Sequence, residues 1–223
     1  MKRNYSVVGL ILLTFFVISF LTNIIGALIP EIRDDFTLSL TLAGLLPFAF
    51  FIAYGVFSIP SGILVERYRE KTVMVVAFLI AFTGAFLLAL FPNYLVAFSS
   101  LFMIGAGMAM LQVTINPLLR VAGGEENFAF NSNLGQLCFG LASFISPLYY
   151  SYVVTGMSAP TGEQNAFISF LASLVPEGLG WISIYWSFAA ISLLMVALIA
   201  VFKFPPVERK EDEIIGAFET HID

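Results

Sequence analysis

Five carboxamides stand within otherwise apolar stretches of this chain: Asn23, Gln112, Asn116, Asn133 and Gln136. An amide offers two donors and two acceptor lone pairs and does not titrate near neutral pH. Such groups suit a neutral, polyhydroxylated solute, with aromatic faces to cover its ring carbons. Around them, small and polar residues recur at helical spacing. Ser19, Thr22, Asn23 and Gly26 fall at i, i+3, i+4 and i+7, one face of a helix. Comparable stripes are Phe51, Tyr54, Ser58 and Ser61; Gly105, Gln112 and Asn116; and Asn133, Gln136, Gly140 and Ser143. Two physical readings fit them. Small residues let helix backbones approach while amides bond across helices, which suits Gly26, Gly105, Gly107, Gly140, Ser58 and Ser143. Alternatively, four polar faces line one hydrated cavity, which suits the amides.

Other chemistries find no support. Cys138 is the single cysteine and His221 the single histidine, so neither a disulfide framework nor a zinc site is expected. No nucleophile–base pair stands out, and the chain is read as no enzyme, with no cofactor. The formal charge of −5 gives a nucleic-acid partner no electrostatic support.

What must position the stripes is membrane. The chain of 223 residues is 59% apolar and only 11% charged, against roughly 45–50% and 25% in soluble domains. Its charges leave free runs at 4–30, 36–65, 72–119, 127–162 and 178–202. About 20 apolar residues cross a bilayer, and the longest run, 72–119, has room for two spans with a turn at Phe91-Pro92-Asn93. Six helices follow, near 6–30, 38–63, 72–91, 94–119, 133–155 and 180–202. The first is too long for a signal-peptide core. The third, broken only by Thr72, Thr83 and Gly84, is expected to face lipid. No Asp, Glu, Lys, Arg or His lies in the core of a span, which speaks against a charged substrate or an ion pump.

With the N-terminus cytoplasmic, Lys2, Arg3, Arg67, Arg69, Lys71, Arg120, Lys203, Arg209 and Lys210 fall inside and only Arg33 outside. The positive-inside rule then puts both termini in the cytoplasm. Tyr149, Tyr150, Tyr152, Trp181, Tyr185 and Trp186 are expected at the outer headgroup level. Six helices also admit a three-plus-three inverted repeat. A faint echo exists in Pro30…Arg33 and Pro117…Arg120, each an Arg three residues after a Pro at a helix exit.

The segment Gly62-Ile63-Leu64-Val65-Glu66-Arg67-Tyr68-Arg69-Glu70-Lys71 resembles the signature loop of the major facilitator superfamily. The resemblance implies a twelve-helix carrier in which this loop latches one state at the cytoplasmic side, through Gly62, Glu66, Arg67 and Lys71, with Arg69 and Arg120 beside them. Arg69 stands where that family usually has Gly, and Glu70 where it usually has a base. Phe50-Phe51, Tyr54, Pro60, Leu111-Gln112-Val113-Thr114-Ile115-Asn116-Pro117, Asn133-Leu134-Gly135-Gln136 and Lys203-Phe204-Pro205 look like the fucose–proton symporter group, which includes glucose/galactose permeases. That likeness implies a sugar substrate held by Asn23, Tyr54, Gln112, Asn116, Gln136 and Phe139. Gly26 and Gln112 stand where fucose permeases carry acids, and Phe139 where they carry a sugar-binding Asn.

The expected architecture is thus an all-α, six-helix bundle over 1–203, followed at 204–223 by the start of a central cytoplasmic linker. It reads as the N-terminal half of a carrier in a bacterial inner membrane. Its partners are the lipid bilayer, a small neutral sugar, and a missing C-terminal six-helix half or a second copy. A homodimeric six-helix transporter and a non-transporting sensor or assembly component are the alternatives.

Overall fold

Hydrocarbon offers backbone N–H and C=O groups no partner, so a chain this apolar must satisfy them within helices. The computed structural model describes residues 4–159, 164–176 and 178–205 and is helical throughout its spans. The elements are α1 (Tyr5–Asn23), α2 (Ile25–Asp35), α3 (Leu40–Tyr68), α4 (Glu70–Leu90), α5 (Tyr94–Gly123), a single 3-10 turn (Glu125–Asn127), α6 (Phe128–Ser158), α7 (Ala166–Ser173) and α8 (Ile182–Val201). Taking α1 and α2 as one span, six are long and apolar enough to cross a membrane. This makes the chain a multi-pass membrane protein. Residues 206–223, which hold His221 and nearly all of the expected linker, lie outside the described residues, as do Lys2 and Arg3.

The expected spans are found, but their ends lie elsewhere. Charged residues mark where the hydrocarbon stops, not where the helix does. The first span continues to Asp35 and the fourth to Gly123, so Pro30 and Pro117 lie inside helices rather than at their exits. The first span breaks at Ile24. Thr22 Oγ1 donates to Ile18 O at 2.7 Å and Asn23 Nδ2 to Ser19 O at 2.9 Å. Side chains that bond the preceding turn in this way bend helices. Pro30, six residues on, adds the loss of one N–H.

The bundle is organised around α5, which packs against α1, α3 and α4; α1 also packs on α6, and α4 on α8. Residues Ile104 to Leu111 of α5 are buried without interruption, as expected of a helix surrounded on all sides. Glycines make this crowding possible. A Cβ on Gly105 would lie 2.2 Å from Phe50 O, and one on Gly107 would lie 2.6 Å from Ala77 O. The expectation that the third span faces lipid is corrected: Val73, Met74, Ala77, Phe78, Ala81, Ala85 and Leu88 of α4 are buried between α5 and α8. An apolar surface without polar residues suits a helix–helix seam as well as it suits acyl chains.

Direction follows from contacts. Asn4 N donates to Ala122 O at 3.0 Å, so α1 begins where α5 ends. Ser19 Oγ donates to Phe139 O at 2.6 Å and Ser146 Oγ to Phe20 O at 3.0 Å, so α1 and α6 run the same way. At the Asn4 end, Lys71 Nζ donates to Ala200 O at 2.8 Å and to Phe202 O at 2.9 Å, a cation on the free carbonyls of the last α8 turn. At the Asp35 end, Trp181 Nε1 donates to Asp35 Oδ2. Trp181 and Tyr185, at the start of α8, turn their rings into the bundle, 1% and 0% exposed, in a ring chain from Phe36 to Phe188.

The link between α3 and α4 is one residue, Arg69, at φ 66° and ψ 156°. A Cβ is strained there and glycine is not. Arg69→Gly is expected to stabilise the bundle by about 1 kcal/mol, raising the melting temperature of the purified protein by roughly 2–4 °C; a fall would refute the assignment of strain. Gly105→Ala is expected to cost about 1–3 kcal/mol by forcing α3 off α5. Gly140→Ala, where a Cβ meets nothing within 4 Å, should be near neutral in the same thermal-unfolding assay.

Candidate functional site

Most hydroxyls of the polar stripes are satisfied inside their own helices. Thr14, Thr22, Ser58, Ser61 and Thr114 each donate to the carbonyl four residues back. Ser58 and Ser61 therefore need no ligand. The small residues divide. Gly105 and Gly107 are seated against backbone, whereas Gly26 and Gly140 have open space where a Cβ would stand. Close packing explains the first pair and leaves the second on open flanks of α2 and α6.

The amides are less self-contained. Asn23, Asn116, Asn133 and Gln136 are exposed on the bundle, and Gln112 is half-buried. Asn116 Nδ2 reaches Gln112 O at only 3.4 Å. Gln112 Oε1 is buried and accepts no hydrogen bond among the described residues, an arrangement that calls for explanation because buried polar atoms are nearly always paired. Asn23 Nδ2 donates to Ser19 O and, at 3.0 Å, to Ser19 Oγ. Through Ser19 it is tied to Phe139 of α6.

Depth can be counted from the pairing of Asn4 with Ala122. At about 1.5 Å per residue, Asn116, Gln112 and Ser19 lie about 9, 15 and 22 Å from that end, so Gln112 and Ser19 fall within the middle part of a ~30 Å core and Asn116 towards its Asn4 side. Gln136 is level with them, since a Cβ on the neighbouring Gly135 would lie 2.9 Å from the Phe15 ring. Asn23 is one turn further. The structure thus brings Gln112 and Gln136 to similar depths on α5 and α6, which touch, with Asn116 nearer the Asn4 end and Asn23 nearer the Asp35 end. Tyr54, on the far side of α5, is half-buried beside Phe50, their ring centroids 6.2 Å apart. Phe139 is half-buried and packs against the core, and it is its backbone carbonyl that bonds α1.

The charged segment is not a loop. Gly62, Glu66 and Arg67 belong to α3, and Lys71 to the first turn of α4. Glu66 and Arg67 are exposed, with the Arg67 guanidinium 5.4 Å from the Tyr68 ring centroid. Arg120 lies 4.7 Å from the Phe128 ring centroid and 3.8 Å from Glu125 Oε1. Both partners of that ion pair are exposed, so it adds little. Lys71 is the exception, joined to α8 as described above. Its charge was visible in the sequence, but the helix end it serves was not.

Sequence reasoning passed over one cavity. Some 460 Å³ open between the far end of α6 and α7, beside Tyr152, Thr155, Gln164 and Asn165. It lies at the Asp35 end, away from the amides. Among the described residues, no group of three His, Cys, Asp or Glu side chains could hold a metal ion.

Comparisons with known proteins agree on one lineage. The Major Facilitator Superfamily profile matches residues 11–220. A glucose/galactose transporter of Brucella abortus is 31% identical over 164 residues, 72% of this chain and 39% of its own length. The L-fucose-proton symporter of Escherichia coli is 28% identical over 220 residues, 93% of this chain and 49% of its own length. A crystal structure of the transporter FucP in its outward conformation superposes with a TM-score of 0.72 at 26% identity, covering 95% of this chain and 53% of that one. The chain spans about half the length of these relatives, which are transporters and not enzymes. With its fold and nearly its whole sequence accounted for in this way, the chain belongs to the major facilitator superfamily.

Proposed function

We propose that this chain is the N-terminal six-helix half of a secondary transporter that moves a neutral, hexose-type sugar by alternating access. The observation that carries the reading is the pair of uncharged amides Gln112 and Gln136 at similar mid-span depth on touching helices, with Asn116 nearer the Asn4 end and Asn23 nearer the Asp35 end. Gln112 Oε1 adds a buried acceptor that a sugar hydroxyl would satisfy. Phe139 and Tyr54 would supply ring faces. The similarity to glucose/galactose and L-fucose transporters points to the same substrate class.

A second six-helix bundle, covalent or a second copy, would complete the carrier. Supporting this, the span windows of α3 and α6 are only 28% and 17% buried, against 44–67% for the other four. Their exposed flanks, with Phe51, Ile52, Leu137 and Phe144, are where a partner bundle would lie. Within the bundle, α1 on α6 and α3 on α5 are equivalent pairs if spans one to three repeat, inverted, as spans four to six. We place the Asn4 end and both termini in the cytoplasm of a bacterial inner membrane. Among the described residues, Arg67, Arg69, Lys71, Arg120 and Lys203 gather at that end and only Arg33 at the other. Glu66, Arg67 and Arg120 would then face the partner bundle or the linker as gating groups.

In the protein expressed from its complete gene, Gln112→Ala is expected to raise the KM for hexose uptake about tenfold, measured with labelled glucose, galactose and fucose. Unchanged uptake and affinity would remove Gln112 from the site. Reporter fusions after Lys203 should score cytoplasmic and those inserted at Thr37 external; the reverse pattern would overturn the orientation.

A further inference from the structure

Ser19 is buried, with no exposed surface, yet it holds three polar contacts. Its hydroxyl has one hydrogen, and that hydrogen goes to Phe139 O across the α1–α6 seam at 2.6 Å. Towards Asn23, therefore, Ser19 Oγ can only accept, as its backbone carbonyl does. The orientation of an amide is often ambiguous and is fixed by its partners. Here both partners are acceptors, so the Asn23 nitrogen must face Ser19, at 2.9 and 3.0 Å. The Asn23 oxygen is left pointing away, on an exposed residue next to the open space at Gly26.

We propose that Ser19 is a positioning residue that locks Asn23 as a hydrogen-bond acceptor towards the transport cavity, and thereby selects a substrate hydroxyl over a substrate carboxylate. This rests on the sugar-carrier reading above and deepens it. A neutral hexose can donate a hydroxyl proton to Asn23 Oδ1. A hexuronate presenting its carboxylate there has no proton to offer at that position and sets a full negative charge against the partial negative charge of Asn23 Oδ1. Among the described residues, the nearest charge along the same span is Glu31, two turns beyond Asn23, and it is an acid. The signal in the sequence was only a serine four residues before an asparagine. What gives it meaning is the third member, a carbonyl 120 residues away.

The test is uptake by the protein expressed from its complete gene, with labelled hexose as substrate and the matching hexuronate as competitor. For the unsubstituted protein, saturable hexose uptake that hexuronate leaves intact is expected. Ser19→Ala removes one of the two acceptors that hold the Asn23 nitrogen and leaves only the backbone carbonyl, so the amide is held less firmly and KM for the hexose should rise about three- to tenfold, the worth of one neutral hydrogen bond, with maximal velocity within about twofold. Hexuronate should then begin to inhibit. Ser19→Thr, which keeps the hydroxyl, should restore both values. Asn23→Ala leaves the Ser19–Phe139 link in place and should raise KM while weakening the discrimination against hexuronate, because the repelling oxygen is gone. That variant keeps the inference testable if Ser19→Ala fails to reach the membrane. Unchanged KM and selectivity in Ser19→Ala or Asn23→Ala would overturn the polarity lock while leaving sugar transport standing. Absence of any hexose uptake by the unsubstituted protein would overturn both.

Discussion

The close approach of α5 to three neighbouring helices is the constraint from which the bundle follows. Between apolar helices in lipid there is no hydrophobic drive to association, so contact must be won by packing. Gly105 against the Phe50 carbonyl, Gly107 against the Ala77 carbonyl and Gly84 against the Ser100 carbonyl bring backbones to distances no side chain would allow. With α3 and α4 set against α5, α8 is fixed on α4 and α1 on the open side of α5. The polar contacts then work at the rims. Lys71 closes the α8 end and Trp181 ties Asp35 to the start of α8.

Packing this tight also decides which polar groups remain for function. Serine and threonine hydroxyls are short enough to bond their own helix four residues back, and eight among the described residues do. Glutamine is too long for that geometry to be favourable, and Gln112 leaves its oxygen unpaired in the interior. Asparagine is intermediate: Asn23 reaches back to Ser19, and Asn116 only to a 3.4 Å contact. Side-chain length thus sorts the stripes into helix-internal hydroxyls and amides with capacity to spare. Close packing and helix-internal bonds account for Gly105, Gly107, Ser58 and Ser61, and neither supplies a partner for Gln112 Oε1 among the described residues.

Several features were legible from residue types alone. Charge-free runs and a Pro-Asn turn sufficed to count six spans, because hydrocarbon leaves a chain of this length few other options. Helix ends were less legible, since Glu66, Arg67 and Arg120 extend helices past the apolar boundary, and a segment with charged residues is not for that reason a loop. The short α7 has eight residues, too few for periodicity to separate it from the apolar text around it. That the Trp181 and Tyr185 rings turn into the bundle was not legible, because an aromatic ring near a span end suits either headgroups or a core. Only the position of Phe36, Asp35 and Phe188 decides between them.

An uncharged bundle has a consequence for how such a site can recognise anything. Without a fixed charge, selectivity must come from the direction of dipoles, and a lone amide can turn either end outward at little cost. Direction is gained only if a neighbour's hydrogen is already committed elsewhere. The Phe139 carbonyl is such a commitment, because a position on a helix exposes its carbonyl to an adjacent helix only where the two backbones are close. Gly135, seated against the Phe15 ring one turn before Phe139, is what brings α6 to that distance from α1. Glycine-driven packing at one level of the seam and dipole orientation at the next are therefore one mechanism, with Ser19 as the residue where the two meet.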